Sequence, residues 1–259
     1  MVKGFLNLYI KLLGCSNSQI FFILKFYQLN NLKIKKLLLI ISIISVNSLF
    51  AQTTFQLWNF NAKEGMEESI TQLVEDNFGD AKFKSGGVQI ERIAHGDNPW
   101  SHRVNLFGEV GKIGRVEGDQ TDLEWELYLE KLNDFVEEWG TSYAGRFLSA
   151  EGGSWIDYPY VQIYDLKLDD PIAFKLAHDK LVKQTSKTRE NRPVAFGTYD
   201  IGGGENVSHW VAIGSKGFND LISQKILDDN YGKEWAENNG GAISPSNYTL
   251  RILAAYTNE

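Results

Sequence analysis

Three short segments of this 259-residue chain occur twice, in the same order along the sequence. The pairs are Phe55–Phe60 with Val161–Leu166, Ser101–Val104 with Ser208–Val211, and Arg146–Ala150 with Arg251–Ala255. The second member follows the first by 106, 107 and 105 residues, respectively. A nearly constant offset is typical of a duplicated structural unit. The sequence therefore predicts two similar units that share one chain.

Each copy shows the same order of secondary structure: strand, helix, strand, strand, helix, strand. Hydrophobic periodicity and turn residues place the elements of the first copy at 55–60, 65–78, 88–94, 102–107, 121–139 and 143–150. In the second copy the strands are predicted at 160–168, 194–199, 209–214 and 248–256. One helix is predicted after Pro171, and the other at 218–237. This order is that of the ferredoxin-like βαββαβ plan, an α+β fold with both helices on one face of the sheet.

The helix-free face of such a sheet needs a cover if it is apolar. In the first strand Phe55 and Leu57 point to one face, whereas Trp58 and Phe60 point to the other. Apolar side chains on both faces indicate a sheet that is buried on both sides. We therefore expect the two ferredoxin-like sheets to pack face to face, each covering the other.

This duplicated pattern resembles the dimeric α/β-barrel superfamily, with the two units fused into one chain. The resemblance rests on topology and duplication over Phe55 to Tyr256 and on no motif of a single member family. It implies one repeat at 52–153 and a second at 154–259, after a leader at 1–51. The superfamily includes cofactor-free monooxygenases, haem-dependent chlorite-converting enzymes and peroxidases, and small-molecule isomerases, so fold alone does not select an activity.

The first 51 residues have the composition of an export signal. They contain six lysines and no Asp, Glu or Arg, and a basic stretch around Lys36 precedes the apolar run Leu37–Val46. A small residue, Ala51, follows at the expected cleavage position. These features predict a secretory signal peptide, translation from Leu32, and an exported protein in the periplasm or medium without stable membrane insertion. The alternative is a lipid anchor on Cys15, although Lys11 interrupts the apolar stretch before it.

Charge and cysteine content exclude several classes of function. The chain has 26 basic and 33 acidic residues, and without the six leader lysines the balance is 20 against 33. Such an acidic surface repels phosphate backbones, so nucleic acid is excluded as a partner. Cys15 is the only cysteine, so the exported part can form neither a disulfide nor a thiolate metal site.

The repeated Ser-His pairs, Ser101-His102 and Ser208-His209, are the best candidates for chemistry. Each histidine begins a strand beside an apolar face, where an imidazole can act as a general base or bind an anion. The alternative is a structural role, in which the imidazole and the serine hydroxyl fix the start of the strand. We predict His102 and His209 as catalytic residues.

Further residues are predicted to bind a ligand. They are His95, Trp100, Ser101, Ser208, Trp210, Gln56 and Gln162. Across a hairpin, His95 could approach His102 and form a metal site with Asp97 or Glu91, but ordinary polar hairpin ends explain these residues equally well and no metal or cofactor is predicted. His178 is interpreted as a surface or boundary residue. Arg146 and Arg251 are expected to pair with helix carboxylates.

These observations favour an exported protein that binds a small hydrophobic or aromatic molecule between a sheet and its helices, without catalysis. The first alternative is a cofactor-free monooxygenase-like enzyme that acts on aromatic substrates, with His102 or His209 as the base. The second alternative is a haem-binding barrel. The protein is expected to be a monomer if the two units cover each other, or a homodimer if each unit pairs with another chain.

Overall fold

A computed structural model describes residues 52–229 and 232–258 of the chain. The predicted signal peptide, its cleavage after Ala51 and the alternative anchor at Cys15 lie outside these residues. The strands are β1 Thr53–Ala62, β2 Gly87–Gly96, β3 His102–Glu109, β4 Val136–Glu151, β5 Tyr160–Lys167, β6 Val194–Ile201, β7 His209–Ser215 and β8 Ile243–Thr257. The helices are α1 Glu67–Phe78, α2 Asp122–Phe135, α3 Pro171–Gln184, α4 Phe218–Asp229 and α5 Gly232–Asn238. No helix in the described ranges is long and apolar enough to cross a bilayer.

The strands form one closed antiparallel barrel, in the order β1-β3-β2-β8-β5-β7-β6-β4. The expectation of two separate sheets packed face to face is therefore wrong. Within each half the strand order is ferredoxin-like, but the last strand of each half pairs with the second strand of the other: β4 with β6, and β8 with β2. The physical reason is that two stacked sheets would leave four edge strands with unpaired backbone groups, whereas edge-to-edge closure pairs all of them.

One predicted helix ends earlier than the sequence pattern suggests. Helix α2 begins at the predicted capping box of Thr121 and Glu124 but ends at Phe135, because Val136 is extended and starts β4. Strand β4 has 16 residues, since it pairs with both β1 and β6. Trp139, which was predicted at the end of the helix, therefore lies in a strand. Within the described residues, the predicted helix at 218–237 corresponds to α4 and α5.

Apolar side chains fill three regions. Phe55 and Leu57 of β1 belong to a cluster inside the barrel, to which both halves contribute. Outside the barrel, each half has a second cluster between its strands and its helices. In the first half this cluster has eleven buried hydrophobic residues, compared with four among the described residues of the second half. The second half thus leaves more room between its sheet and its helices.

Candidate functional site

The first repeated histidine, His102, is fully hydrogen bonded on the helix-facing side of β3. Its Nε2 lies 3.2 Å from Oε2 of Glu67, a group that can only accept when ionised, so Nε2 donates. Its Nδ1 then accepts from the hydroxyl of Ser101 at 2.8 Å. The ring stacks on Phe60 at 5.6 Å, and burial lowers the pKa of His102 despite the carboxylate of Glu67. These contacts provide what a structural role at the strand entrance requires, and the predicted catalytic role stays a prediction.

The second histidine, His209, repeats this geometry but lacks one contact. Its Nδ1 lies 2.8 Å from the hydroxyl of Ser208, and its ring stacks on Phe196 at 5.5 Å. No described residue forms a hydrogen bond with its Nε2, and the first residue of α3, Pro171, stands where α1 has Glu67 and offers no carboxylate. Burial lowers the pKa of His209. Neither repeated histidine lines the cavities described below.

Most of the other predicted ligand-binding residues lie outside the cavities. His95 is exposed, and its ring lies 5.5 Å from that of Phe218. Trp100 packs against Gly140 of β4. Gln56 is exposed, and Gln162 accepts a hydrogen bond from Thr249 at 2.9 Å. Of the predicted set, only Trp210 lines a cavity, and it does so inside the barrel.

The alternative metal site is not formed. His95 and His102 have separate partners, and Glu91 points into the barrel, where it pairs with Arg103. Within residues 52–229 and 232–258, no three His, Cys, Asp or Glu side chains converge on a point that could hold a metal ion. Arg146 also differs from expectation, since it forms a bidentate ion pair with Asp200 of the neighbouring strand β6 and not with a helix carboxylate.

One cavity lies between the strands and the helices of the second half, and we call it the helix-side cavity. Its volume is about 420 Å³, which is in the range of small-molecule sites. Aromatic rings of Phe174, Tyr164 and Trp235 contribute to its wall, as do the cationic side chains of Arg189 and Lys225. Such a wall suits a planar molecule that carries or can acquire negative charge.

His178 is the central polar group of the helix-side cavity. It is buried, with 6% of its surface exposed, so its interpretation as a surface or boundary residue is wrong. Its Nδ1 lies 3.2 Å from Oδ1 of Asp179; because a carboxylate only accepts, Nδ1 carries the proton and Nε2 has the free lone pair. No described residue bonds this Nε2. Burial lowers the pKa of His178 despite Asp179, so the ring is neutral at pH 7.

A buried donor without a described partner accompanies this acceptor. Trp235 Nε1 lies in α5, and the indole ring packs edge-on against Phe174 at 5.9 Å. The aromatic ring of Phe196 then connects the two histidines, at 5.4 Å from His178 and 5.5 Å from His209. Buried polar groups in native proteins are normally hydrogen bonded. The helix-side cavity therefore offers one acceptor and one donor to a ligand.

The second cavity is inside the barrel, and we call it the lumen cavity. Its volume is about 280 Å³. Its charged residues are Arg103 and Glu91, which are cross-strand neighbours and form a buried ion pair. Arg103 also donates from Nη1 to the hydroxyl of Tyr248 at 3.0 Å. Burial by itself lowers the pKa of Arg103, but the carboxylate of Glu91 outweighs it and holds this pKa above its usual value.

A second polar contact lies beside this ion pair. Tyr199 donates to Oδ1 of Asp165 at 2.8 Å. Burial raises the pKa of Asp165 and raises that of Tyr199 well above its usual value. Burial likewise raises the pKa of Tyr248 to about 12. The two tyrosines are therefore neutral hydrogen-bond donors at pH 7.

Sequence reasoning overlooked His178 and the pair of Arg103 and Glu91, although a signal was present for each. His178 is four residues from both Phe174 and Val182, on the buried face of one helix. Arg103 alternates with His102 and Val104, so it must point to the opposite face of the sheet. Assigning each residue to a face of its helix or strand would have predicted that His178 is buried beneath α3. It would also have predicted that Arg103 and Glu91 lie in the barrel.

The sequence has no match among protein-family models. It has none among curated proteins either. Solved structures do match. A candidate monooxygenase from Lactobacillus acidophilus NCFM superposes with a TM-score of 0.53 at 15% identity, over 80% of this chain and 96% of that one. A candidate monooxygenase from Fusobacterium nucleatum gives a TM-score of 0.49 at 13% identity, over 80% of this chain and 95% of that one. An anthrone oxidase-like protein gives a TM-score of 0.48 at 8% identity, over 80% of this chain and 93% of that one.

At these identities the comparison establishes the fold and no activity. The resemblance predicted from the duplicated sequence is confirmed, and the strand order of the barrel agrees with it. The described part of this chain has the fold of the dimeric α/β-barrel superfamily, with both halves of the barrel supplied by one chain.

Proposed function

We propose that this protein binds a small planar aromatic molecule with an acidic hydroxyl group in the helix-side cavity. The observation that carries this proposal is the unpartnered Nε2 of His178, a buried acceptor in an aromatic cavity. An unsatisfied buried acceptor costs about 1–3 kcal/mol, and a ligand hydroxyl removes that cost. Arg189 and Lys225 lie in the same wall, where their charge would stabilise the anion that forms if the hydroxyl proton passes to His178.

The proposal differs from the prediction that named His102 and His209 as the reactive residues. His178 lines the cavity, whereas the repeated histidines do not. Export of the protein remains a proposal that rests on the leader sequence alone.

Calorimetric titration with 2-naphthol tests the proposal, and 2-methoxynaphthalene is the matched ligand that has no donor. We expect His178→Phe to weaken 2-naphthol binding by about tenfold or more, since about 1.4 kcal/mol corresponds to a factor of ten, and to change binding of the methoxy compound little. Trp235→Phe removes the donor with little change in shape, and Trp125→Phe on the exposed surface of α2 is its control. Equal affinity of both ligands for the wild-type protein and for His178→Phe would refute the proposal.

A cofactor-free oxidation by molecular oxygen is the second candidate function. It is favoured by the arrangement of Asp179 and His178, because a carboxylate that orients a neutral imidazole makes it a better base. His178 would take one hydroxyl proton, and the resulting aromatic anion would pass two electrons to molecular oxygen. Oxygen would take up both hydroxyl protons and leave as hydrogen peroxide, and the aromatic product would be a quinone. Oxygen uptake with 1,4-dihydroxynaphthalene, corrected for its spontaneous oxidation, tests this reaction. An uptake rate that is the same for wild-type protein and His178→Phe would exclude His178 as the base.

Haem binding is the remaining alternative, and His178 is the residue whose free ring nitrogen would hold the iron. A metal-binding histidine usually donates its other ring nitrogen to a carboxylate, as His178 does to Asp179. When bound, haem would supply redox chemistry at its iron, and His178 would be the residue that holds it. Haemin titration tests this alternative: a Soret shift that His178→Phe abolishes would support it, and no shift would exclude it.

A further inference from the structure

The lumen cavity has a polar wall that comes from the first half of the chain alone. Two cross-strand pairs of β2 and β3 form it: Gln89 with Asn105, and Glu91 with Arg103. The corresponding pairs of β6 and β7 in the second half are Ala195 with Ala212, and Gly197 with Trp210. The duplicated barrel is thus asymmetric inside, with hydrogen-bonding groups on one side and small or aromatic residues on the other.

The two pairs of the polar wall differ in how well they are satisfied. Arg103 and Glu91 bind each other, and Tyr248 accepts a further hydrogen bond from Arg103. By contrast, Oδ1 of Asn105 is buried without a partner among the described residues. Gln89 is only 8% exposed, and no described residue bonds its side chain. Two adjacent amides in an apolar barrel interior are costly unless something else binds them.

The opposite wall is shaped for an aromatic ring. Trp210 packs edge-on against Phe147 at 4.9 Å and against Phe55 at 5.5 Å. The indole nitrogen of Trp210 already donates to the carbonyl of Thr198 at 3.2 Å, so this wall presents carbon atoms only. Edge-to-face contact with these rings stabilises a further aromatic group.

We propose that the lumen cavity is a second ligand site, for a small neutral aromatic molecule with one hydrogen-bond donor, of the phenol or indole class. Size sets the limit, because a cavity of roughly 150 Å³ holds benzene and this one measures about 280 Å³. Charge sets the class, because the guanidinium of Arg103 and the carboxylate of Glu91 neutralise each other. The donor is required by Oδ1 of Asn105, which can only accept.

A ligand would enter at the end of the barrel near the linker between the halves. Thr53, Ala150 and Trp155 line the cavity there; Ala150 is exposed, and the other two are half-buried. The ion pair of Arg103 and Glu91 lies deeper, with both side chains less than a tenth exposed. This site is separate from the helix-side cavity, which lies on the other face of the sheet and shares no lining residue with it.

Fluorine NMR titration of the full chain with 4-fluorophenol tests the proposal, with 4-fluoroanisole as the ligand that lacks the donor. We expect 4-fluorophenol to bind the wild-type protein more tightly than 4-fluoroanisole. We expect the double variant Gln89→Leu/Asn105→Leu to lose about tenfold or more in affinity for 4-fluorophenol while its unfolding midpoint stays equal or rises. A purely structural role of the amides would lower the midpoint. Gln72→Leu on the exposed face of α1 is the control and should bind as the wild type does.

A second variant fills the cavity. Ala212→Phe should abolish binding of both fluorinated ligands, and if it does not fold, the double leucine variant still decides. Binding that His178→Phe abolishes and the lumen variants leave unchanged would assign 4-fluorophenol to the helix-side cavity and overturn the proposal. Absence of binding at millimolar ligand would also overturn it, since the lumen would then hold only water. Neither outcome depends on the 2-naphthol test of the helix-side cavity.

Discussion

Removal of Glu91 should destabilise the barrel far more than removal of an exposed carboxylate. The side chains of Arg103 and Glu91 are 8% and 3% exposed, so Glu91→Leu leaves a guanidinium inside the barrel without its counter-ion. Arginine cannot escape by losing its proton. Breaking a buried ion pair in this way costs about 3–5 kcal/mol. At about 2–4 °C per kcal/mol for a domain of this size, the unfolding temperature should fall by about 6–20 °C.

The matched double variant separates the charge effect from packing. Glu91→Leu/Arg103→Met removes both charges at similar volume, and such replacements are often neutral or stabilising. We expect its free energy of unfolding in urea to lie within about 1 kcal/mol of the wild type or above it. The control is Asp200→Asn, which breaks the half-exposed pair with Arg146 and should cost at most about 1 kcal/mol.

One result would refute this reasoning. If Glu91→Leu lowers the free energy of unfolding by no more than Asp200→Asn does, the guanidinium of Arg103 is solvated without its partner. Water would then reach the guanidinium of Arg103 inside the barrel. The low exposure of this side chain would not show that it lies in a medium of low dielectric constant.

Three further predictions concern stability. Burial lowers the pKa of His178, so the unfolded chain binds protons first as the pH falls below about 6.5. Stability should therefore be lower at pH 5.5 than at pH 7.5 in urea titrations. His178→Phe should reduce this dependence by its own share, since the pKa values of His102 and His209 are also lowered by burial. Gly197→Ala should lower the free energy of unfolding by about 1–3 kcal/mol, because the added Cβ would lie 2.3 Å from a backbone oxygen. The control is Gly204→Ala, whose Cβ would meet no atom within 4 Å, and its thermal melt should equal that of the wild type. Thr121→Ala should cost about 1 kcal/mol by loss of the capping box, measurable by the same melts.

The sequence alone determined the duplication and the local elements of this fold. Repeated segments establish two copies, and hydrophobic periodicity places each strand and helix, because both depend only on residues that are near in sequence. The capping box at Thr121 was found in the same way. The sequence also identified the Ser-His pair as a repeated feature, and in both copies the serine hydroxyl lies 2.8 Å from the histidine Nδ1.

Only the tertiary structure decided how the two copies join and where their cavities lie. Pairing of β4 with β6 is a contact between distant segments, and no local pattern states whether two sheets stack or share edges. Helical spacing places His178 on the buried face of α3, but only the structure shows that this face borders a cavity. Volume left between packed elements is a property of the whole assembly of side chains, so a sequence can name the residues of a wall but cannot show that they enclose a space.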